Sequence, residues 1–245
     1  MNTQKVWFIT GASKGMGLET AKLVLASGDK LVATSRNVNE LISKLGEAGE
    51  NFLPLALDIT NDAAVSDVLF KSIAHFGRLD VILNNAGYYL LGSLEEISEN
   101  EFRKTQEVNV FGTVNVIRQV MPYLRQQQSG HIINIASNMG YIGYANTGSY
   151  NAAKFAVVGL SEALAQEVKP FGIKVTVVVP GMFRTNFMSE TTLVVAAKEI
   201  EGYGQKAHAE MLSRFNGNQP GDPKKLAQAL KLIVNTAEPP VHLIL

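Results

Sequence analysis

A tyrosine and a lysine four residues apart are the residues of this sequence best suited to proton transfer. Tyr150 and Lys154 belong to the segment YNAAK. Side chains four apart lie on one face of a helix, so the phenol and the ammonium would be neighbours one turn apart. Ser137 precedes them, at the end of the apolar run HIINIAS. The spacing alone also fits an ordinary helix surface, so the interpretation depends on the surrounding elements.

A glycine-rich segment near the start of the chain has the form of a phosphate-binding turn. The apolar run KVWFIT breaks at Gly11, and TGASKGMG leads into MGLETAKLVLASG, whose apolar residues recur at helical spacing. A strand, a glycine turn and a helix point free backbone N–H groups at a phosphate, and a Cβ would block the close approach of a pyrophosphate. The alternative is an ordinary turn with a helix cap. The residues predicted to contact a dinucleotide here are Gly11, Ser13, Lys14, Gly15, Met16 and Gly17.

The end of the second apolar run indicates which dinucleotide is bound. KLVATSRN places Ser35 and Arg36 about twenty residues beyond the last glycine of the turn, where a carboxylate would bind a ribose 2′-hydroxyl and a cation would accommodate a 2′-phosphate. Because no acidic residue stands at this position and Lys14 lies in the glycine turn, the sequence predicts NADP(H) in preference to NAD(H). The alternative is that the two cations are solvated surface residues.

Apolar runs and helix-period segments alternate along most of the chain. The apolar runs are rich in Val, Ile and Leu without a strict alternation, which is typical of strands in a parallel sheet covered on both faces. The predicted fold class is therefore α/β: a doubly wound parallel sheet with helices on both faces, a Rossmann fold, in one domain. PPVHLIL is predicted to be the final strand, and we expect a further C-terminal segment beyond Leu245.

Further candidate residues follow other predicted strands. In open parallel sheets, ligands bind outside the carboxyl ends of the strands. Each of these residues could equally be a helix cap or a turn residue. The residues in question are Asp58 and Ile59 after the third strand, Asn85, Ala86 and Gly87 after the fourth, Ser137 after the fifth, and Pro180 and Gly181 after the sixth.

Taken together, these motifs resemble those of the short-chain dehydrogenase/reductase family. The resemblance covers nearly the whole chain through TGASKGMG, Asp58, the NNAG turn, Asn109, Ser137, YNAAK and the PG turn. It implies an NAD(P)-dependent oxidoreductase that acts on an alcohol or carbonyl compound, and a homodimer or homotetramer built from the helices that carry Asn109 and Tyr150. The catalytic residues that it implies are Asn109, Ser137, Tyr150 and Lys154.

The chemistry of these four side chains is consistent with that activity. Tyr150 is the candidate acid/base, but an unperturbed phenol titrates near pH 10, so we expect the positive charge of Lys154 to lower its pKa. Ser137 would orient and polarise the substrate oxygen. By resemblance, Asn109 would hold a water that relays protons to Lys154, and Thr185 and Lys154 would contact the nicotinamide carboxamide and ribose. Without the resemblance, Asn109 is interpreted as a satisfied core amide within a long helix from Ser98 towards Leu124.

A segment from about 186 to 220 is irregular and is predicted to be the insertion that covers the substrate. Its apolar residues, together with several from elsewhere in the chain, suggest a hydrophobic carbonyl compound or alcohol. The alternative is that they only pack the insertion against the body of the protein. They are Phe187, Met188, Leu193, Val194, Val195, Tyr203, Met211, Leu212 and Phe215, with Tyr88, Tyr89, Met139, Tyr141 and Tyr144.

Composition narrows the possible partners. The 22 basic and 22 acidic residues balance, which disfavours nucleic acid and anionic membranes as partners. The chain has no cysteine, so it cannot form disulfides, thiolate nucleophiles or zinc–thiolate sites. The start lacks a signal-peptide pattern, and no apolar run is long enough for a membrane span. We expect a cytoplasmic protein with a small-molecule substrate and no metal site.

The sequence leaves more than one function open. The first hypothesis is NADPH-dependent reduction of a carbonyl compound. The second keeps the fold but works in the oxidative direction on a hydroxysteroid, a retinoid or a sugar alcohol. The third is a protein that binds NADP and does not turn over, although a sensor has no need of a proton donor such as Tyr150.

Overall fold

The computed structural model of the protein describes residues 4–189 and 192–245. Its main element is a sheet of seven parallel strands. The seven are β1 (Val6–Thr10), β2 (Lys30–Ser35), β3 (Phe52–Ala56), β4 (Val81–Asn84), β6 (Gly130–Ile135), β7 (Ile173–Val179) and β9 (His242–Ile244). Their order across the sheet is β3-β2-β1-β4-β6-β7-β9. The order reverses between β1 and β4, and ligands bind at such switch points.

Helices cover both faces of this sheet. The helices of the described chain are α1 (Gly15–Ala26), α2 (Val38–Leu45), α3 (Asp62–Phe76), α4 (Glu99–Gln106), α5 (Gly112–Gln127), α6 (Gly148–Val168), α7 (Gln205–Phe215) and α8 (Pro223–Val234). The apolar residues of α3, α5 and α6 pack on one face, and those of α1, α2 and α8 pack on the other. None of the helices in the described ranges is long and apolar enough to cross a membrane.

The first strand shows why the apolar runs do not alternate with polar residues. Successive side chains of a strand point to opposite faces. Val6 and Phe8 therefore pack against the α3–α5–α6 layer, whereas Trp7 and Ile9 pack against the α1–α8 layer, and all four are buried. Since both faces exclude water, the four consecutive positions from Val6 to Ile9 are all apolar. The predicted doubly wound parallel sheet is confirmed.

The predicted long helix from Ser98 towards Leu124 is divided by a π-helical turn. The capping box is present as expected: the Ser98 hydroxyl accepts from the Glu101 N–H, and the Glu101 carboxylate accepts from the Ser98 N–H. However, α4 ends at Gln106, and Glu107–Phe111 form a π-helix before α5 begins. A single π turn within a helix accommodates one extra residue and often occurs at a functional site. Asn109 lies in this turn.

The segment from about 186 to 220, whose sequence pattern is irregular, contains short regular elements. After residues 190 and 191, which lie outside the described residues, β8 (Leu193–Val195) pairs in parallel with β5 (Tyr89–Leu91), and α7 follows. β8 is only three residues long and depends on a partner more than a hundred positions away. Local periodicity does not reveal such a pairing.

Two carboxylates attach this segment, which we call the lid (residues 192–220), to the body of the protein. The buried Glu96 accepts from the backbone N–H of Ser93 at 2.8 Å and from that of Ile200 at 3.0 Å. Glu101 accepts from the N–H of Ala197 at 2.9 Å. Burial alone would raise the pKa of Glu96, but the hydrogen bonds from Ile200 and Ser93 outweigh it and the pKa is lowered. The ionised carboxylate is therefore the form that holds the lid.

The Glu96→Gln variant should destabilise the protein at neutral pH by about 1.5–3 kcal/mol, the usual value of a hydrogen bond to a charged group. Because the folded-state pKa of Glu96 is lowered, this stabilisation is present above the unfolded-state value of 4.5 and is lost as the pH falls through the folded-state value. Urea unfolding at several pH values should show the difference from the parent shrinking in acid. Glu99→Gln, at an exposed position of α4, is the matched control. A difference that does not depend on pH would contradict this account.

Candidate active site

The glycine turn after β1 is packed too closely for side chains. Gly11 has a φ of +65°, and a Cβ on it would lie 2.9 Å from the Ala86 Cα atom. A Cβ on Gly17 would lie 2.5 Å from Asn85 Nδ2 and 2.6 Å from the Gly11 carbonyl oxygen. Lys14, the residue before α1, provides no side-chain cap for that helix. The first N–H groups of α1 therefore face the turn and can bind a phosphate.

Two hydrogen-bonding residues join the ends of β1 and β4 at the switch point. The Thr10 hydroxyl accepts from the backbone N–H groups of Asn85 and Ala86, each at 3.0 Å. The Asn85 side-chain amide donates to the carbonyls of Thr10 and Gly11 at 3.0 and 3.1 Å. These bonds hold the glycine turn against the NNAG turn, so that the two predicted nucleotide-binding segments form one surface.

Cations and a carboxylate share the region after β2. Arg36 is exposed there, and Lys14 lies 3.9 Å from the Glu40 carboxylate. The Ser35 hydroxyl is already used in the turn, where it donates to the Asn37 carbonyl at 2.6 Å. Asp58, on the neighbouring strand end, accepts from the N–H and hydroxyl of Thr60. The positive charge predicted from Lys14 and Arg36 is thus partly balanced by Glu40.

Ser137, Tyr150 and Lys154 meet at the end of β6. The Lys154 ammonium donates to the Ile135 carbonyl at 2.8 Å and lies 5.6 Å from the centre of the Tyr150 ring. The Ser137 hydroxyl accepts from the Met139 N–H at 3.2 Å, which keeps Ser137 at the start of the short helical turn after β6. Tyr150 and Lys154 are 4% and 6% exposed, so burial governs their ionisation.

Burial favours the neutral forms of Tyr150 and Lys154 and so shifts the pKa of each side chain. Burial raises the pKa of Tyr150 above its ordinary value of 10.0, Tyr89 acts in the same direction, and the Ser137 hydroxyl acts against them. Burial lowers the pKa of Lys154 to about 8. The expectation that Lys154 would leave Tyr150 with a lowered pKa is therefore wrong for this structure, because desolvation of the phenolate dominates. Tyr150 is protonated at neutral pH.

The side-chain amide of Asn109 forms hydrogen bonds with the backbone of Tyr88. Its side-chain oxygen accepts from the Tyr88 N–H at 3.0 Å, and its side-chain nitrogen donates to the Tyr88 carbonyl at 2.9 Å. Gly87 permits this approach, since a Cβ there would lie 2.7 Å from Asn109 Oδ1. The amide thus matches the core-amide interpretation and holds the chain between the NNAG turn and β5. A water relay through its side chain would have to replace these bonds.

One cleft of about 1260 Å³ runs from the region after β2 to Tyr150. It is lined by nearly all of the predicted site residues, but Gly17 and Asn109 are not among the lining residues. Thr185 lies against Gly15 of the glycine turn, and its hydroxyl accepts from the Phe187 N–H at 3.2 Å. The predicted residues that line the cleft are Gly11, Ser13, Lys14, Gly15, Met16, Ser35, Arg36, Asp58, Ile59, Asn85, Ala86, Gly87, Ser137, Tyr150, Lys154, Pro180, Gly181 and Thr185.

Beyond Tyr150 the cleft is mainly apolar, but not every predicted residue belongs to it. Leu193 is buried in the packing of the lid, Tyr141 bonds to His242, and the Tyr203 hydroxyl donates to Glu95. These three residues and Val195 are therefore not part of the cleft lining, and the prediction that they face a substrate was wrong. The predicted apolar residues that do line it are Tyr88, Tyr89, Met139, Tyr144, Phe187, Met188, Val194, Met211, Leu212 and Phe215.

Several residues of the site escaped the sequence interpretation. Thr10 could have been found, because a hydroxyl directly before the first glycine of the turn is well placed to accept N–H groups. Glu40 is four residues beyond Arg36, but its proximity to Lys14 depends on how α2 packs. Gln219 is buried in the cleft wall, and its side-chain nitrogen has no hydrogen-bond partner within the described ranges. Nothing in the local sequence indicates that placement.

Comparison with known proteins establishes the family. The family described as short chain dehydrogenase matches residues 5–194. Over 241 residues the chain is 39% identical to Oxidoreductase BOA17 of Botryotinia fuckeliana, which covers 98% of this chain and 88% of that protein. It is 38% identical over 237 residues to a 3-ketodihydrosphingosine reductase of Bacteroides thetaiotaomicron, covering 96% of this chain and 86% of the relative. The chain belongs to the short-chain dehydrogenase/reductase family and is an NAD(P)-dependent oxidoreductase.

Solved structures agree with this assignment. A short-chain dehydrogenase from Streptomyces avermitilis has a TM-score of 0.89 and 36% identity, over 99% of this chain and 89% of that one. A member from Burkholderia phymatum was solved in complex with NAD, with a TM-score of 0.85 and 25% identity, over 98% and 88% of the two chains. ElxO was solved with NADP bound, with a TM-score of 0.81 and 27% identity, over 99% and 96%. The structural neighbours thus include proteins with each nicotinamide dinucleotide.

The Gly17→Ala variant tests the packing of the glycine turn. Its Cβ would overlap Asn85 and the Gly11 carbonyl, so we expect dinucleotide binding to weaken about tenfold or more and stability to fall by about 1–3 kcal/mol. Fluorescence titration with NADPH and thermal unfolding measure the two effects. The control is Gly159→Ala in α6, where the new Cβ would meet no atom of the described chain within 4 Å apart from the adjoining backbone of its own helix, and where alanine should be neutral or stabilising. Equal behaviour of the two variants would refute the close packing.

Proposed function

We propose that the protein is an NADP(H)-dependent carbonyl reductase in which Tyr150 donates the proton. The observation that carries the proposal is the buried Tyr150 hydroxyl beside Ser137, in a cleft continuous with the glycine turn. Because burial keeps this phenol protonated at neutral pH, it is a donor poised for a carbonyl oxygen. Oxidation of an alcohol needs the phenolate, which the same burial disfavours. We therefore propose the reductive direction first, with oxidation of an alcohol by the same residues as the alternative.

The residues of the cleft fit a nicotinamide dinucleotide. The glycine turn fits a pyrophosphate because Gly11 and Gly15 line the cleft, and without side chains the turn packs closely against Ala86 and Thr185. When bound, the dinucleotide supplies or accepts the hydride. The N–H groups at the start of α1 would bind its phosphates, and Lys154 and Thr185 would contact its nicotinamide end. We assign the remaining predicted cofactor contacts to the same cleft.

The roles of the catalytic side chains follow from their contacts. Ser137 now donates to Asn138 Oδ1 at 3.1 Å and would turn this hydroxyl proton to the substrate carbonyl oxygen, where negative charge develops. Tyr150 would transfer its proton to the same oxygen. Lys154 would then return a proton to the Tyr150 phenolate. Its pKa of about 8 suits proton exchange near neutral pH. Asn109 would keep the wall of the site in place through its two bonds to Tyr88.

The preference for NADP(H) rests on charge. Arg36 is exposed at the end of β2, the position from which a cation can reach a 2′-phosphate, and Lys14 lies in the adjoining turn. Glu40 competes for Lys14, since the two side chains are 3.9 Å apart. Arg36 would therefore provide most of the discrimination between the two dinucleotides, and Glu40 would oppose it.

The substrate is proposed to be an apolar carbonyl compound. The cleft beyond Tyr150 is lined by aromatic and methionine side chains such as Tyr144, Phe187 and Met211. One relative is named as a reductase of a keto compound, 3-ketodihydrosphingosine, which fits the same direction of reaction. The expected homodimer or homotetramer also stays a proposal, and the exposed Phe111 and Phe155 beside and within the predicted interface helices support it.

The Tyr150→Phe variant removes the proton donor and little else. We expect carbonyl reduction with NADPH to fall by about 10²-fold or more, the contribution of a positioned acid, while NADPH binding persists. Absorbance of the reduced nicotinamide gives the rate, and fluorescence titration gives the affinity. Tyr123→Phe, which removes a hydroxyl outside the cleft, serves as the control. Reduction by Tyr150→Phe near the parent rate would exclude this mechanism.

The Arg36→Asp variant tests the cofactor preference. We expect the affinity for NADPH to fall about tenfold or more relative to the affinity for NADH, because a phosphate contact becomes a repulsion. Conversely, Glu40→Gln should strengthen NADPH binding selectively, since Lys14 loses its competing partner. Arg118→Asp makes the same charge change on the exposed side of α5 and is the control. An unchanged ratio of the two affinities in Arg36→Asp would show that the preference is not set here.

A further inference from the structure

The phenol of Tyr89 occupies an unusual position beside Tyr150. Tyr89 is 1% exposed and lines the cleft. Its ring meets that of Tyr150 edge-on, with 4.6 Å between the ring centres, and also approaches Phe187. Leu193 and Leu212 of the lid complete its apolar surroundings. The two tyrosine rings therefore form adjoining parts of the site wall.

The hydroxyl of Tyr89 has no hydrogen-bond partner among the described residues. Burying an unpaired O–H group is unfavourable because its bonds to water are lost. A phenylalanine would fill the same space without that cost, so packing does not explain the hydroxyl. Burial raises the pKa of Tyr89, which leaves the group as a hydrogen-bond donor at neutral pH.

The position of this donor is fixed by the backbone on both sides. The Tyr89 N–H donates to the Thr192 carbonyl at 2.9 Å, and β5 pairs with β8. Asn109 binds both backbone groups of the preceding Tyr88. The Tyr88 hydroxyl, by contrast, is paired with that of Thr105 at 3.1 Å. Tyr89 therefore presents a fixed and unused donor, whereas its neighbour does not.

From this arrangement we infer that Tyr89 determines substrate specificity by donating a hydrogen bond to a second oxygen of the substrate, close to the reacting carbonyl. The inference rests on the proposed carbonyl reduction. The second oxygen must be near the first because the rings of Tyr89 and Tyr150 are in contact. Because the hydroxyl is enclosed by Leu193 and Leu212 of the lid, these side chains would have to move aside for the oxygen to reach it. The substrate class is thus an apolar ketone with an adjacent hydroxyl or carbonyl oxygen.

The Tyr89 hydroxyl contributes most to the binding of a ligand that provides a hydrogen-bond acceptor for it. In apolar surroundings a hydrogen bond is stronger than in water, and a site that contains an unpaired polar group discriminates against analogues that cannot satisfy it. A plain ketone leaves the Tyr89 hydroxyl unpaired, whereas an oxygenated ketone pairs it. The structure therefore predicts a preference for the oxygenated substrate that disappears when the hydroxyl is removed.

The test compares two ketones of equal chain length, octan-2-one and 1-hydroxyoctan-2-one, with the full-length protein and NADPH. We expect the parent to favour the hydroxyketone in kcat/KM by about tenfold or more. In Tyr89→Phe that ratio should collapse towards one, because kcat/KM for 1-hydroxyoctan-2-one falls by more than kcat/KM for octan-2-one. Tyr123→Phe should leave the ratio at the parent value. A parent without the preference, or an equal loss for both ketones in Tyr89→Phe, would overturn the inference.

A binding measurement separates this inference from the proposed reaction. Thermal unfolding in the presence of NADP(H) and each ketone should show extra stabilisation by 1-hydroxyoctan-2-one in the parent and none in Tyr89→Phe. This result is independent of turnover, so a protein that reduces neither ketone can still support or contradict the role of Tyr89. Without ligand, Tyr89→Phe should unfold at the parent temperature or above, since it loses only an unpaired group. A less stable variant would contradict the unpaired hydroxyl.

Discussion

The buried ammonium of Lys154 is the constraint around which the site is arranged. A lysine in apolar surroundings is unfavourable unless it is paired, and here its partner is the backbone carbonyl of Ile135 at 2.8 Å. This bond requires α6 to lie against the end of β6. Ser137, two residues beyond Ile135, and Tyr150, one turn before Lys154, are then held on the same side of the sheet. One hydrogen bond thus relates the strand that carries the serine to the helix that carries the tyrosine.

The second requirement is that the nucleotide-binding turn adjoins this site. The order of strands brings β1 and β4 together at the switch point, and Thr10 and Asn85 bond the two strand ends to one another. Because Gly11 and Gly17 have no side chains, these segments touch without displacing the backbone. The result is a continuous cleft in which a dinucleotide on the glycine turn would have its reactive end near Tyr150. The lid closes the remaining side through Glu96 and Glu101.

Much of the fold and of the candidate site could be predicted from the sequence because both depend on local sequence patterns. The glycine turn, the capping box at Ser98 and the mainly apolar strands are each determined by residues close together in the sequence. The pairing of β5 with β8, the π turn at Asn109 and the attachment of the lid by Glu96 depend on contacts between distant segments. The sequence also did not predict the direction of the pKa shift of Tyr150. The helical spacing of Tyr150 and Lys154 revealed their proximity but not their burial, and burial decides the direction of both pKa shifts.

The central claim is that the Tyr150 hydroxyl donates to a substrate carbonyl beside a nicotinamide dinucleotide. A crystal structure of the protein with NADP(H) and a bound ketone tests it most directly. The account predicts the ketone oxygen at about 2.6–3.2 Å from the hydroxyls of both Tyr150 and Ser137, with the dinucleotide phosphates at the start of α1. A ketone oxygen directed away from Tyr150, or a dinucleotide bound outside the glycine turn, would contradict it.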